Sequence, residues 1–262
     1  MNLITSRSNP LIKQYVKLCS SKSERKQSGL FTVEGIKLCL EAFTESVSIK
    51  TLLVTDKALN KYADMLKPVL DAGVETFVIT DEIASKISDT KTPQGVFAVC
   101  NVLDNTLEMD KIYNGGYYIC LCQLQDPANL GAIIRTAEAL GVDGVLLSAD
   151  SCDIYNPKSV RSTMGSLFRM PIMITEDTTQ FLLDLAAKGV NTYAAVVDKN
   201  AKPLSDVKFT SPSVVCIGNE GNGLSKEQID ACKTAITIKM KGRAESLNAS
   251  MAAGIIMHEL CK

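Results

Sequence analysis

The run Glu245-Ser246-Leu247-Asn248-Ala249-Ser250-Met251-Ala252-Ala253-Gly254 decides how the rest of the chain is read. Ser246 and Asn248 are residue types that cap helices, and the helix they introduce carries mostly alanine, serine and glycine in its opening turns. Small side chains there imply close backbone approach. Earlier in the chain, Val214-Val215-Cys216-Ile217 has the pattern of a buried strand and runs into Gly218-Asn219-Glu220-Gly221-Asn222-Gly223, glycines bracketing one carboxylate. Glycine serves where the chain takes positive φ or where something must touch the backbone, so this strand end is expected to form a pocket wall.

Outward from these stretches, a chain of 262 residues has room for one or two domains with sizeable cores. Hydrophobic residues make up 46% and charged residues 22%, the balance of an ordinary soluble globular protein. No apolar run approaches the roughly 18–20 residues that span a bilayer, and the N-terminus lacks the layout of a signal peptide, so no membrane association is expected and the chain is read as cytoplasmic. The nine cysteines form no C-x-x-C pair, and His258 is the only histidine. That argues against a metal site and against Cys–His catalysis, and reads as buried thiols in a reducing compartment. The net charge of −1 hides an asymmetry: residues 1–27 hold Arg7, Lys13, Lys17, Lys22, Arg25 and Lys26 against the single acid Glu24. Such an end either meets a polyanion or is a solvated basic helix face.

Ser8-Asn9-Pro10 offers an N-cap with proline at the first helical position, and Leu11, Ile12, Tyr15, Val16 and Leu18 recur with helical spacing. The polar run from Ser20 to Ser28 reads as a break. Strands are expected at 30–33, 49–55, 74–79 and 95–102, with helices at 34–45, 56–72 and 81–87, which makes residues 1–102 a small α/β domain. The polar stretch 103–116, ending Asn114-Gly115-Gly116, reads as a linker. Over 117–262 the alternation restarts, and its strands, near-continuous in valine, isoleucine and leucine, imply a parallel sheet covered on both faces.

Three constellations stand out in this second part. In the first, Asp126-Pro127-Ala128-Asn129-Leu130-Gly131 opens a helix whose apolar stripe is Leu130, Ile133, Ile134, Ala137 and Leu140; at about 100° per residue, Arg135 lies roughly 140° from Leu130 and points away from the core. Arg135 is therefore a plain surface arginine or a ligand-facing one, since ligands of open α/β sheets gather at the carboxyl ends of strands. The second is the glycine-rich turn 218–223, which matches neither the dinucleotide fingerprint nor a phosphate loop. Glu220 inside it would repel a pyrophosphate and suits a neutral or positive ligand. Ser225 and Gln228 beyond it form a capping box. The third, Ile238-Lys239-Met240-Lys241-Gly242 leading to Ser246-Leu247-Asn248, could by itself be a helix N-cap and nothing more.

Taken together and in this order, 126–131 with Arg135, 218–224, and 238–250 resemble the three signature motifs of the SpoU (TrmH) family of RNA ribose 2′-O-methyltransferases, within the SPOUT superfamily. The likeness covers roughly residues 116–261. Ile4 to Pro10 and Phe31 to Gly35 resemble, more weakly, the small RNA-binding domain that precedes the catalytic one in many members. The resemblance implies a parallel-sheet SPOUT domain whose C-terminal segment is threaded as a deep trefoil knot, S-adenosylmethionine bound in that knot, and a homodimer. By resemblance the cofactor positions are Gly218, Asn219, Ile238, Met240 and Leu247, and the catalytic ones Asn129, Arg135, Glu220, Ser246 and Asn248. Arg135 would activate the ribose 2′-hydroxyl with help from the neighbouring phosphate; Asn129, Ser246 and Asn248 would position it. Glu220 would either orient Arg135 or sit near the sulfonium charge. RNA contacts are expected from Arg7, Lys13, Arg25, Lys26 and Arg161. Two departures from the family pattern are Lys239, where proline is common, and Ala249, where valine is common.

The implied activity is methyl transfer to the ribose of a structured RNA, with 23S ribosomal RNA favoured because of the added N-terminal domain. A transfer-RNA methyltransferase, a resistance methyltransferase acting on ribosomal RNA and a catalytically silent assembly factor share the architecture. The intact set of five catalytic positions argues against the silent factor, and a dinucleotide oxidoreductase fails for want of its fingerprint.

Overall fold

The structure is a computed structural model that describes residues 1–262. In chain order the first elements are β1 (Asn2–Ile4), α1 (Pro10–Ser20), α2 (Lys22–Ser28), β2 (Leu30–Glu34), α3 (Ile36–Thr44) and β3 (Ile49–Thr55). They continue with α4 (Asp56–Lys61), α5 (Ala63–Asp71), β4 (Thr76–Ile79), α6 (Asp81–Ile87) and β5 (Val96–Asn101). Next come α7 (Met109–Asn114), β6 (Tyr117–Leu121), α8 (Pro127–Leu140), β7 (Gly144–Ser148), α9 (Pro157–Ser162) and β8 (Ile172–Thr175). The chain ends with α10 (Thr178–Ala187), β9 (Asn191–Ala195), β10 (Lys202–Pro203), β11 (Ser213–Ile217), α11 (Lys226–Ala231), β12 (Thr234–Thr237) and α12 (Ala249–Leu260).

These elements form two compact units, one of residues 1–104 with 153–168, the other of 105–152 with 169–262. The first holds a mixed sheet in the order β1-β4-β3-β5-β2, in which β1, β4 and β3 run parallel and β5 is antiparallel to both β3 and β2. α1 shows how sequence becomes packing here. Asn9 caps it through a 2.9 Å bond from the Leu11 amide, Pro10 starts it, and Ile12, Tyr15 and Leu18 bury one stripe. Tyr15 meets Phe97 of β5 edge-on, with ring centroids 5.7 Å apart.

Four departures from the sequence reading have physical causes. The run 20–28 is not a break: Ser21 caps α2 through the Glu24 amide and Gly29 closes it at φ 66°. That helix buries only Arg25, so it has no apolar stripe to betray it. The helix expected over 56–72 is two helices, parted at Tyr62. The stretch 103–116 is not a bare linker, because it contains α7 and buries Leu107 and Ile112. The segment 153–168, which includes α9 and lies between β7 and β8 in sequence, belongs to the first unit, where the Tyr155 ring lies 4.8 Å from that of Phe31.

The second unit is a seven-stranded sheet in the order β10-β12-β9-β11-β6-β7-β8, every pairing parallel. β7 and β11 are buried along their whole length, as a parallel sheet covered on both faces requires. From β6 the chain builds outward through β7 to β8, then crosses to the other side and lays β9 and β11 there. The order therefore reverses between β6 and β11, and at such a switch point the loops leave a crevice beyond the strand ends. Cys120 of β6, Cys122 just beyond its end and Cys216 of β11 are buried in the core there, and every cysteine is a free thiol.

Candidate active site

The two strands flanking the switch point end in Gln123–Asp126 and in Gly218–Gly223, and side chains sew these loops together. The Glu220 carboxylate accepts the amides of Gln125 and Asp126, each at 3.1 Å, and the side-chain amide of Asn129 at 3.1 Å. Burial works to raise the pKa of Glu220, but the Asn129 side chain and these backbone donors outweigh it and leave the carboxyl below its ordinary value. Glu220 is therefore an anion at neutral pH. Its oxygens serve the 125–129 turn, and it makes no bond to Arg135 within the chain.

Asn129, buried at the start of α8, passes the connection on. Its Oδ1 accepts from Asn248 Nδ2 at 3.0 Å, while Asn248 Oδ1 caps α12 by accepting the Ser250 amide at 2.9 Å. Three segments far apart in sequence thus share one chain of hydrogen bonds, Glu220 to Asn129 to Asn248. Removing Asn248 should cost its cap, about 1 kcal/mol, and leave the buried Asn129 oxygen unpaired at about 1–3 kcal/mol more. Asn248→Ala should accordingly lower the thermal midpoint by several degrees in calorimetry, with Asn248→Asp, which keeps the cap, falling between; a midpoint like the wild type's would show the chain of bonds to be idle.

Gly218 is glycine for lack of space. A Cβ there would lie 2.1 Å from the Gly223 carbonyl carbon and 2.2 Å from the Leu224 nitrogen. The turn closes on itself through Asn219 and Gly223, which exchange backbone bonds of 3.1 and 2.9 Å, and Gly223 takes φ 70°. Asn219 also accepts the Gly221 amide at 2.7 Å and donates to the Gln123 carbonyl at 2.9 Å.

Beyond the carboxyl ends of β9, β11 and β12 lies a cavity of about 480 Å³, within the range of small-molecule sites. Its walls include Gly218, Asn219, Glu220, Ile238, Met240, Ser246 and Leu247. All five expected cofactor positions and two of the expected catalytic ones therefore meet in one space. The lining contains Asp198 and Glu220 but no lysine or arginine. Such walls suit a ligand that carries positive charge and no phosphate.

Arg135 stands on the exposed face of α8, outside that lining, and no ion pair or hydrogen bond within the chain holds it. Six residues beyond Asn129, it sits about 9 Å further along the helix axis. Of the residues expected to meet RNA, Arg25 is a correction: it is only 4% exposed, pairs with Asp153 at 2.7 Å and donates to the Leu18 carbonyl, so it fastens the first unit together. Arg161 is bonded to Asp89 at 2.6 Å and Arg7 to Glu82, whereas Lys13 and Lys26 are exposed. No group of three or more His, Cys, Asp or Glu side chains is placed to hold a metal ion, and no helix is long and apolar enough to cross a membrane.

One contributor escaped the sequence reading. Gln123 takes φ 57°, uncommon for a residue with a side chain. The Ser148 hydroxyl holds its amide at 2.8 Å, and its carbonyl is thereby aimed to accept from both Asn219 and Gln125. A left-handed glutamine has no sequence signature. The one hint was its place at a strand end facing the glycine turn.

A parallel sheet with its switch point closed by a glycine-bracketed acid, an Asn-Leu-Gly helix start and an Asn-capped C-terminal helix defines a class. The chain belongs to the SpoU rRNA Methylase family, whose model matches residues 116–258, and an MRM3-like substrate binding domain matches residues 9–98. Among its relatives is the 23S rRNA (guanosine(2553)-2′-O)-methyltransferase RlmP of Bacillus subtilis, 30% identical over 260 residues and covering 99% of both chains. The 23S rRNA (uridine(2479)-2′-O)-methyltransferase of Streptomyces viridochromogenes is 30% identical across 98% of this chain and 90% of its own. Among solved structures, the AdoMet-bound rRNA methyltransferase from Sinorhizobium meliloti superposes with a TM-score of 0.85 at 29% identity, covering 99% of this chain and 97% of that one. The methyltransferase AviRb of Streptomyces viridochromogenes, in complex with AdoMet, gives 0.83 at 28% identity and 97% coverage of each.

Proposed function

We propose that this protein transfers the methyl group of S-adenosylmethionine to a ribose 2′-hydroxyl of ribosomal RNA, with 23S RNA as substrate. The observation that carries the reading is the hydrogen-bonded chain from Glu220 through Asn129 to Asn248 beside a cavity whose walls hold two carboxylates and no cation. S-adenosylmethionine would supply an electrophilic methyl on a positively charged sulfur and, having no phosphates, asks for no phosphate loop. Backbone at Gly218, Ile238, Met240 and Leu247 would hold it, and the carboxylates of Glu220 and Asp198 offset its charge.

The work left to the protein is to place a poor nucleophile in line and help remove its proton. Arg135 would bind the phosphate beside the target ribose and steer the 2′-hydroxyl. Because a guanidinium stays protonated and is no base, the proton passes to the phosphate or to water as the new O–C bond forms and the donor's sulfur–methyl bond breaks. Ser246, exposed at the cavity mouth, would meet the ribose, while Asn129 and Asn248 hold the α8 and α12 ends that present the site. Incubation with labelled S-adenosylmethionine and ribosomal RNA, then digestion to nucleosides, should yield 2′-O-methylribose; label on a base would refute the reaction type.

The same reading includes a cytoplasmic homodimer and a knotted C-terminal segment. In support of the dimer, α12 packs against α8 but leaves Met251 61% and Ile255 40% exposed, one turn apart on a single face. In support of the knot, α12 opens with small residues. Charging the apolar face with Met251→Asp and Ile255→Asp should convert a dimer to monomers in sedimentation; a wild-type protein that sediments as a monomer would end that part of the proposal.

A further inference from the structure

A second cavity, of about 360 Å³, lies between α1 and α6 in the first unit. Ile12, Val16, Ile83 and Ile87 line it, and Arg7, Lys13, Lys17 and Lys86 complete it. Val16 is 45% exposed here, an apolar side chain left in water among cations. Lys13 and Lys17 are four residues apart on one helix, a like-charge spacing that is unfavourable in an isolated helix. Neither they nor Lys86 has an acidic partner, and only Arg7 is neutralised, by Glu82. Uncompensated positive charge around a greasy groove fits a ligand that is flat and apolar in the middle and anionic at both ends.

We propose that this groove holds an unpaired nucleotide of the RNA, its base laid on Val16 over the buried Ile12, Ile83 and Ile87 and its flanking phosphates bound by Lys13, Lys17 and Lys86. The inference rests on the RNA substrate proposed above and adds to it a site in the first unit and a substrate feature. A base stacked inside an A-form helix cannot lie on such a floor, whereas bases in loops and bulges can be splayed out. The floor offers no polar group to read base edges, so the groove takes any base. Its three unpaired lysines make capture dependent on salt.

The test uses the full chain and fluorescent RNAs of one sequence, single-stranded and duplexed, titrated over a range of salt concentrations. For single strands the slope of log affinity against log salt falls by about 0.7 for each phosphate left without its cation. A Lys13→Ala/Lys17→Ala/Lys86→Ala variant should bind the single strand at least tenfold more weakly, with the slope reduced by about 2. Val16→Asp should weaken the single strand and leave the duplex untouched. A single strand carrying 4-thiouridine should crosslink to α1 and α6. S-adenosylmethionine affinity and the thermal midpoint should stay at wild-type values in every variant. Wild-type RNA affinity and slope in all variants, or crosslinks confined to other elements, would overturn the proposal and leave the groove to a protein partner. Failure of the wild-type chain to methylate ribose would refute the enzymatic reading and leave these binding results standing, so the two are separable.

Discussion

Gly218→Ala should abolish binding of S-adenosylmethionine and destabilise the fold. The added carbon would sit 2.1 Å from the Gly223 carbonyl carbon and 2.4 Å from its oxygen, both backbone atoms that no rotamer change can move. Relief requires the 218–223 turn to open, which separates Asn219 from Gly223 and carries Glu220 off the Gln125 and Asp126 amides. Overpacking of this kind costs typically about 1–3 kcal/mol in stability. The cavity wall goes with the turn, so binding measured by calorimetry should weaken at least a hundredfold. Gly221→Ala is the control: its Cβ would meet only the Asn219 side-chain oxygen, at 3.3 Å. Equal binding by wild type and Gly218→Ala would mean that the turn is not the wall of the cofactor site.

Arg135→Ala should do the opposite, leaving stability and cofactor binding intact while removing catalysis. The side chain is exposed and lies outside the cavity lining, so neither the thermal midpoint nor the S-adenosylmethionine affinity has reason to move. Positioned groups that assist proton transfer contribute about 10²–10⁴-fold to rate, and a loss of that size in single-turnover methyl transfer is expected. Arg135→Lys keeps the charge but loses the planar fork that grips a phosphate, and should restore only a small part. Unchanged transfer in Arg135→Ala would reduce this arginine to the plain surface residue that its helical spacing alone also allows.

The second unit was the more legible in sequence. Val214 to Ile217 and Gly144 to Leu147 are continuous apolar runs because their strands are covered on both faces, and that continuity announced a parallel sheet. The site was legible to the extent that it is built from backbone and caps. Gly218, Asn129 and Asn248 each do something that only a few residue types do, so their identities carried information. Arg25 misled for the same kind of reason: among Lys22, Lys26 and Arg7 it looks like one more surface cation, and only Asp153, 128 residues away, makes it a buried one. β1 was missed because three residues, Asn2 to Ile4, become a strand only by pairing with β4. The α1–α6 groove was invisible for a similar reason, since Ile83, Ile87 and Lys86 join Val16 and Lys17 through packing and not through spacing.

All of these readings depend on segments 126–135, 218–223 and 238–248 meeting around one methyl donor. A crystal structure of the protein grown with S-adenosylmethionine examines that meeting directly. The donor should lie in the cavity walled by Gly218, Glu220, Ile238, Met240 and Leu247, within a chain whose C-terminal segment passes through a loop. A donor bound anywhere else, or a chain end that can be pulled free without threading, would contradict the account.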